Sequence, residues 1–98
     1  MLDTLTADTF EAHLGSAFAV NAEGNEDVLT LIEVERYTLP GNRDRAPFAL
    51  TFHGGRDDAM YDSQVLPMDH AELGRLDIFI SPFGRNEDGT FCYQAIFN

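Results

Sequence analysis

Arg75-Leu76-Asp77-Ile78-Phe79-Ile80-Ser81-Pro82-Phe83 is the stretch whose reading decides the fold. Its apolar residues recur at a period of two and favour extended backbone, so it is the best strand of the chain. Arg85-Asn86-Glu87-Asp88-Gly89-Thr90 follows as a hairpin loop by composition. Phe91 to Asn98 then forms a last strand. On the other side, His70-Ala71-Glu72-Leu73-Gly74 turns the chain, preceded by a weaker strand from Gln64 to Asp69. Pro67 interrupts that strand and cannot donate to a ladder, so the segment is an edge or carries a bulge. Short turns pair consecutive strands, and residues 64–98 read as a three-stranded antiparallel meander with 75–83 in its middle. Pro82 predicts a splay or bulge near the end of the central strand.

Further out, Phe48-Ala49-Leu50-Thr51-Phe52 is a strand ended by Gly54-Gly55, and Arg56 to Asp62 is an acidic loop. Val28 to Tyr37 alternates along its whole length. Val28, Thr30, Ile32 and Val34 share one face, and Glu33 and Glu35 mark the other as wet. Leu39-Pro40-Gly41-Asn42 breaks this strand, and Arg43-Asp44-Arg45 extends a charged connection. Phe18 and Val20 begin the period-two region, followed by a polar turn from Asn21 to Asp27 that contains Gly24.

The chain opens with a short helix. Thr6 is the N-cap, Leu5 and Phe10 have the spacing of a hydrophobic staple, and Asp8 complements the helix dipole. Phe10 and Leu14 lie on one face, and Gly15 supplies the stop. A helix this short must dock on a sheet to persist. The expected fold is therefore mainly β: a small antiparallel β-barrel or sandwich of about six strands with one short N-terminal helix, in a single domain over residues 1–98. Both closures fit the pattern.

With 98 residues, 44% of them hydrophobic and eight of them Phe, the chain has material for a core without a metal or disulfides. Seventeen acids face six bases, all Arg, for a net charge of −11. Such a surface repels phosphate, which excludes nucleic acid and anionic membrane as primary partners. Cys92 is the sole cysteine, so there is neither a disulfide framework nor a cysteine zinc cluster. Met1 to Thr6 lacks the basic-then-apolar pattern of a signal peptide, and no apolar run approaches the roughly 18–20 residues of a membrane helix. The expected location is the cytoplasm, although leaderless export leaves no mark on a sequence.

Catalytic patterns are weak. His13, His53 and His70 form no pair at the spacing by which one strand or helix presents two ligands, and they read as solvated or turn-capping residues. Cys92, between Phe91 and Tyr93, reads as a buried structural thiol. Ser16, Ser63 and Ser81 lack a nucleophile-elbow context, and Gly54-Gly55-Arg56 lacks phosphate-loop spacing. Asp57, Asp58 and Asp62 are the candidate cation ligands, but their loop does not spell a calcium motif. Asn86, Glu87 and Asp88 are explained by hairpin chemistry. No enzyme and no cofactor is expected.

Three stretches carry a resemblance: Leu5-Thr6-Ala7-Asp8-Thr9-Phe10, His70 to Gly74 with Leu76 to Pro82, and Tyr93-Gln94-Ala95-Ile96-Phe97-Asn98. Together they resemble a bacterial family of small domains of unknown function, with Ala71 standing where that pattern tends to have Pro. The resemblance carries over no catalytic residue. It implies a setting, as companions of phage-tail-collar-like fibre proteins, and hence an accessory or structural role.

The leading expectation is a non-enzymatic protein-interaction or assembly module. Its partner would be another protein, such as a tail-fibre-like one, or a second copy of the chain. Strand addition at residues 91–98 or 48–52 is the expected mode, with Phe91, Tyr93, Phe97 and Asn98 as the interaction candidates. The alternative is a small-ligand or calcium-binding domain using the acidic loops. That alternative requires millimolar Ca²⁺ to raise the melting temperature, with the rise abolished by Asp57→Ala plus Asp58→Ala; a flat response to a panel of divalent ions removes it.

Overall fold

In the computed structural model, residues 5–22, 25–37, 47–58 and 60–97 are described. Helix α1 spans Ala7–Glu11, with Thr6 as its N-cap. Thr6 accepts from the Thr9 amide while the Thr9 side chain accepts from the Thr6 amide, a reciprocal capping box. Phe10 is completely buried, its ring against Phe48 and Phe97, and Leu5 packs on the same core. Leu14 is a correction to the sequence reading: it is 48% exposed. The helix stops at Glu11, so the four-residue spacing no longer places Leu14 above Phe10. Gly15, with φ +86°, takes the left-handed conformation that ends the turn. Arg36 at the far end of the second strand binds both Asp8 and Glu11, clamping the helix over the barrel mouth.

Six strands follow: β1 Ala17–Ala22, β2 Asn25–Arg36, β3 Phe48–His53, β4 Gln64–His70, β5 Gly74–Arg85 and β6 Phe91–Phe97. They close into an antiparallel barrel in the order β1-β2-β3-β6-β5-β4. Of the two closures open at the sequence level, the barrel is the one formed. Residues 64–97 make the expected meander, with β5 between β4 and β6. The polar turn expected over Asn21 to Asp27 is shorter, because β1 and β2 pair as far as Ala22 opposite Asn25. Gly24 and the 39–45 connection lie outside the described residues.

Two long strands form the corners. β2 pairs with β1 through Asn25–Thr30 and with β3 through Thr30–Arg36. β5 pairs with β4 through Gly74–Ile80 and with β6 through Ser81–Arg85. Each shifts register near the point where it changes partner, between Leu31 and Glu33 in β2 and between Pro82 and Gly84 in β5. The irregularity expected at Pro82 is present. A bulge inserts one residue without a partner, bends the strand and reverses which parity faces inward.

That reversal corrects the reading of β2. Leu29 and Leu31 face the core before the bulge and Val34 packs on it afterwards, so Val28 and Ile32 are left about half exposed. The inserted residues Ile32 and Phe83 both stand outside the barrel. The core itself joins Phe18 and Val20 of β1, Leu50 and Phe52 of β3, Leu66 and Met68 of β4, Leu76, Ile78 and Ile80 of β5, and Tyr93 and Ala95 of β6. No helix among the described residues is long and apolar enough to cross a membrane.

Phe10→Ala should destabilise the protein by about 3–5 kcal/mol, because it empties the contact that holds α1 on the barrel. Leu14→Ala should change stability by no more than about 0.5 kcal/mol. Urea unfolding followed by circular dichroism checks both.

Candidate functional site

The side chains singled out in the sequence are placed by strand parity and loop hydrogen bonding. On β6 the odd positions point inward. Tyr93 is buried, and its hydroxyl accepts from the Tyr61 amide at 3.1 Å. Phe97 stacks on Phe48 with ring centroids 4.8 Å apart, and Phe91 packs on the core beneath the Arg85 guanidinium. These three candidates therefore share the face turned to the core, and Asn98 lies outside the described residues. β3 is paired on both sides, with β2 and with β6, so it offers no free edge for strand addition. β6 is paired with β3 through Cys92–Phe97 and with β5 through Phe91–Gln94.

The loop carboxylates are spread out. Asp58 is gripped through two oxygens by Arg56, at 2.9 and 2.8 Å, and the hydrogen-bonded guanidinium holds its carboxyl below the ordinary carboxylate range. Asp57 and Asp62 are exposed. Among the described residues no group of three or more His, Cys, Asp or Glu side chains is placed to hold a metal. In the second loop Asp88 accepts from both the amide and the hydroxyl of Thr90, which lowers its pKa, and Gly89 at φ +93° completes the turn. Hairpin chemistry accounts for it, as expected. His53 completes this cluster with a 2.8 Å hydrogen bond to the Thr90 hydroxyl. Cys92 corrects another expectation: it is only half-buried, and its thiol donates to Asn86 Oδ1.

His13 and His70 meet, which their spacing did not indicate. Their rings are 4.6 Å apart, and His70 Nε2 lies 2.9 Å from the Ser16 hydroxyl. A serine beside a histidine invites a nucleophilic reading, but the proton positions oppose it. His70 Nδ1 accepts the backbone amides of Glu72 and Leu73 at 3.0 and 3.1 Å. In the neutral ring the proton must then sit on Nε2, which donates to Ser16, while Ser16 donates to the His13 carbonyl. A general base needs a free lone pair facing the hydroxyl, and here that nitrogen carries hydrogen. His70 is a turn cap.

An open cleft of about 620 Å³ lies over the junction of β1, β2 and β4, lined by Ala19, Asn21, Glu26, Asp27, Arg56 and Asp69 among others. Two of its polar groups, Asp27 and Arg56, are occupied by the scaffold. Asp27 Oδ1 accepts from the Val28 and Gly55 amides, and Arg56 is held by Asp58 and the Glu26 carbonyl. Gly55 is required there, because a Cβ would come within 2.9 Å of both Asp27 Oδ1 and the Val28 carbonyl. Tyr61 lies beneath this region rather than in the lining. It is 1% exposed, and its hydroxyl has no hydrogen-bond partner among the described residues.

The outer face of the barrel carries a different feature. Val65 of β4 pairs with Phe79 of β5. Ile96 of β6, the neighbour of β5 on its other side, lies two residues past Gln94, where the β5–β6 ladder ends. These side chains are 56%, 57% and 59% exposed. In register the row passes Ala49 of β3, which is buried, to reach Glu35 of β2. Its neighbour is polar throughout: Ser63 donates to Ser81, which pairs with Gln94, then Thr51 and Glu33. The signal was present in the alternation of β5 and β6, but only cross-strand register assembles it.

Tyr61→Phe should change stability by no more than about 1 kcal/mol, since the buried hydroxyl has no well-formed hydrogen bond and only the nearby Asp27 carboxylate to interact with. Burial and the nearby Asp27 carboxylate push the Tyr61 phenol up to about 12. An ultraviolet tyrosinate titration of the wild type should show this late ionisation, and the Phe variant should lack it.

The match to known sequences covers nearly the whole chain: residues 5–97 fit the family model DUF6916, a domain of unknown function, and the chain belongs to that family. No curated protein and no solved structure matches it.

Proposed function

We propose that this member of the DUF6916 family is a protein-interaction module whose partner docks across the outer face of β4, β5 and β6. The observation that carries the reading is the row Val65–Phe79–Ile96, three large apolar side chains, each more than half exposed, on adjacent strands. Single exposed apolar residues are ordinary on any protein, but a contiguous row bordered by polar residues marks a contact surface. The bordering residues Ser63, Ser81 and Gln94 supply donors and acceptors for a rim.

The chemistry of the occupant follows from charge. Both rows end on β2 carboxylates, Glu35 and Glu33, and the whole chain carries −11. A second copy would bring the same charge against this surface, which disfavours self-association. The partner is therefore a segment with apolar side chains for the row and Arg or Lys for its acidic end. A tail-fibre-like protein with such a segment is the partner that the sequence resemblance implies. Contact is made by side chains lying across the strands, since β3 is paired on both sides and β6 is paired with β5 as far as Gln94.

Phe79→Ser, and the triple variant with Val65→Ser and Ile96→Ser, should leave the unfolding midpoint nearly unchanged. Phe79→Ser alone should weaken capture of a stoichiometric host protein by about tenfold or more, equivalent to at least about 1.4 kcal/mol. About 0.5 M salt should weaken it further through the acidic end. Phe83→Ser, an equally exposed aromatic off the row, should bind as wild type does. Quantitative affinity capture from host extract, followed by titration of the recovered partner, measures this. Equal capture by the triple variant overturns the proposal.

A further inference from the structure

We propose that His70 is an acid-released latch on the seam between β1 and β4, so that the barrel opens locally along that seam when the imidazole takes a second proton. This inference is independent of the docking face and stands on the geometry of closure. β1 and β4 are joined by two residue pairs, Ala19 with Asp69 and Val20 with Met68. Every other neighbouring pair of strands has at least four. Past Asp69 the seam continues by side-chain contacts centred on His70. Its ring packs 4.6 Å from Phe18 of β1, and its Nε2 bonds to Ser16, the residue before that strand.

The same ring ties the seam to the β4–β5 turn. Nδ1 accepts the Glu72 and Leu73 amides, so one imidazole caps the turn on one side and anchors β1 on the other. A doubly protonated ring has no acceptor nitrogen. The second proton goes to Nδ1, so it leaves the Nε2–Ser16 bond formally intact but deprives two amides of their acceptor and sets a donor against donors. The charged ring then leaves its buried site for water, and its Ser16 and Phe18 contacts across the seam go with it. The titratable groups around the ring are His13, from the turn after α1, and Glu72, from the β4–β5 turn. His13 opposes a second positive charge beside it, and Glu72, 3.7 Å from His13 Nδ1, partly offsets that effect. Phe18 contributes only apolar surface, and Asp69 lies on the opposite, exposed face of β4.

Burial first, and His13 second, hold the latched imidazole below its ordinary value of 6.5. The latched state then binds fewer protons than the open one. Closure is fully favoured above pH 6.5 and is lost progressively as pH falls towards the lowered value of the latched ring; below it the effect saturates.

Amide hydrogen exchange of the full chain, followed residue by residue from about pH 7.5 to about pH 4.5 and corrected for intrinsic rates, tests this. The opening constant at Val20 and Met68 should rise by up to about tenfold per pH unit below the ordinary histidine value. Leu50 and Ala95, on the β3–β6 side, should not follow. His70→Asn keeps an oxygen able to accept the turn amides but cannot titrate, and its seam should show no acid response. Seam exchange that tracks Leu50 and Ala95 at every pH overturns the latch, as does an acid response that survives in His70→Asn. Should that variant not fold, the wild-type series decides alone when paired with an NMR titration of the His70 ring. Coincident midpoints support the latch, and ring titration without a change at the seam overturns it.

Discussion

Closing six strands into a ring forces the first strand to meet the fourth, and the rest of the molecule is arranged around that constraint. The chain cannot close with straight strands, so β2 and β5 are each long enough to serve two partners and bend between them. The bends are bulges at Ile32 and near Phe83. They let β1 and β4 approach, but these two strands share only a short ladder. Beyond it, contacts to His70 rather than backbone pairing hold the seam. The barrel is thus strongly paired around most of its circumference and thinly paired at one line.

The same bends determine which apolar residues reach the surface. A bulge shifts parity by one, so a strand that reads as uniformly alternating is inward-facing on odd positions before the bend and on even positions after it. This is why Leu31 is in the core while Ile32 and Val28 are not. Once parity is settled on all six strands, Val65, Phe79 and Ile96 are left together outside, on neighbouring strands. An outward row of this kind is a consequence of register, and its bordering polar residues and terminal carboxylates set the character of what can cover it.

Several of the chemistry-bearing side chains are employed in holding loops. Asp88 organises the β5–β6 hairpin, Asp27 ties β2 to Gly55, Arg56 and Asp58 bind each other, and His70 caps the β4–β5 turn. In a domain of this size loop polar groups are costly unless paired, and these acids and bases are consumed in pairing them. The Ser16–His70 contact illustrates how a familiar pair of residue types is given its role by hydrogen bonding: the amides on Nδ1 decide where the proton sits, and the hydroxyl accepts from His70 while donating to the His13 carbonyl.

Local patterning by itself determined a good deal: the capped helix at Thr6, the β class, the positions of six strands, the hairpin at Asp88-Gly89, the meander of residues 64–97 and the break at Pro82. Each of these is set by residues within a few positions of one another, through capping, alternation or missing amide hydrogens. Tertiary structure alone decided the barrel closure, the exposed side of β6, the meeting of His13 with His70 across 57 residues of chain, and the assembly of the outer apolar row. Those depend on cross-strand register. A single bulge reverses every later side chain of a strand, and period-two alternation carries no mark of which face will be closed over.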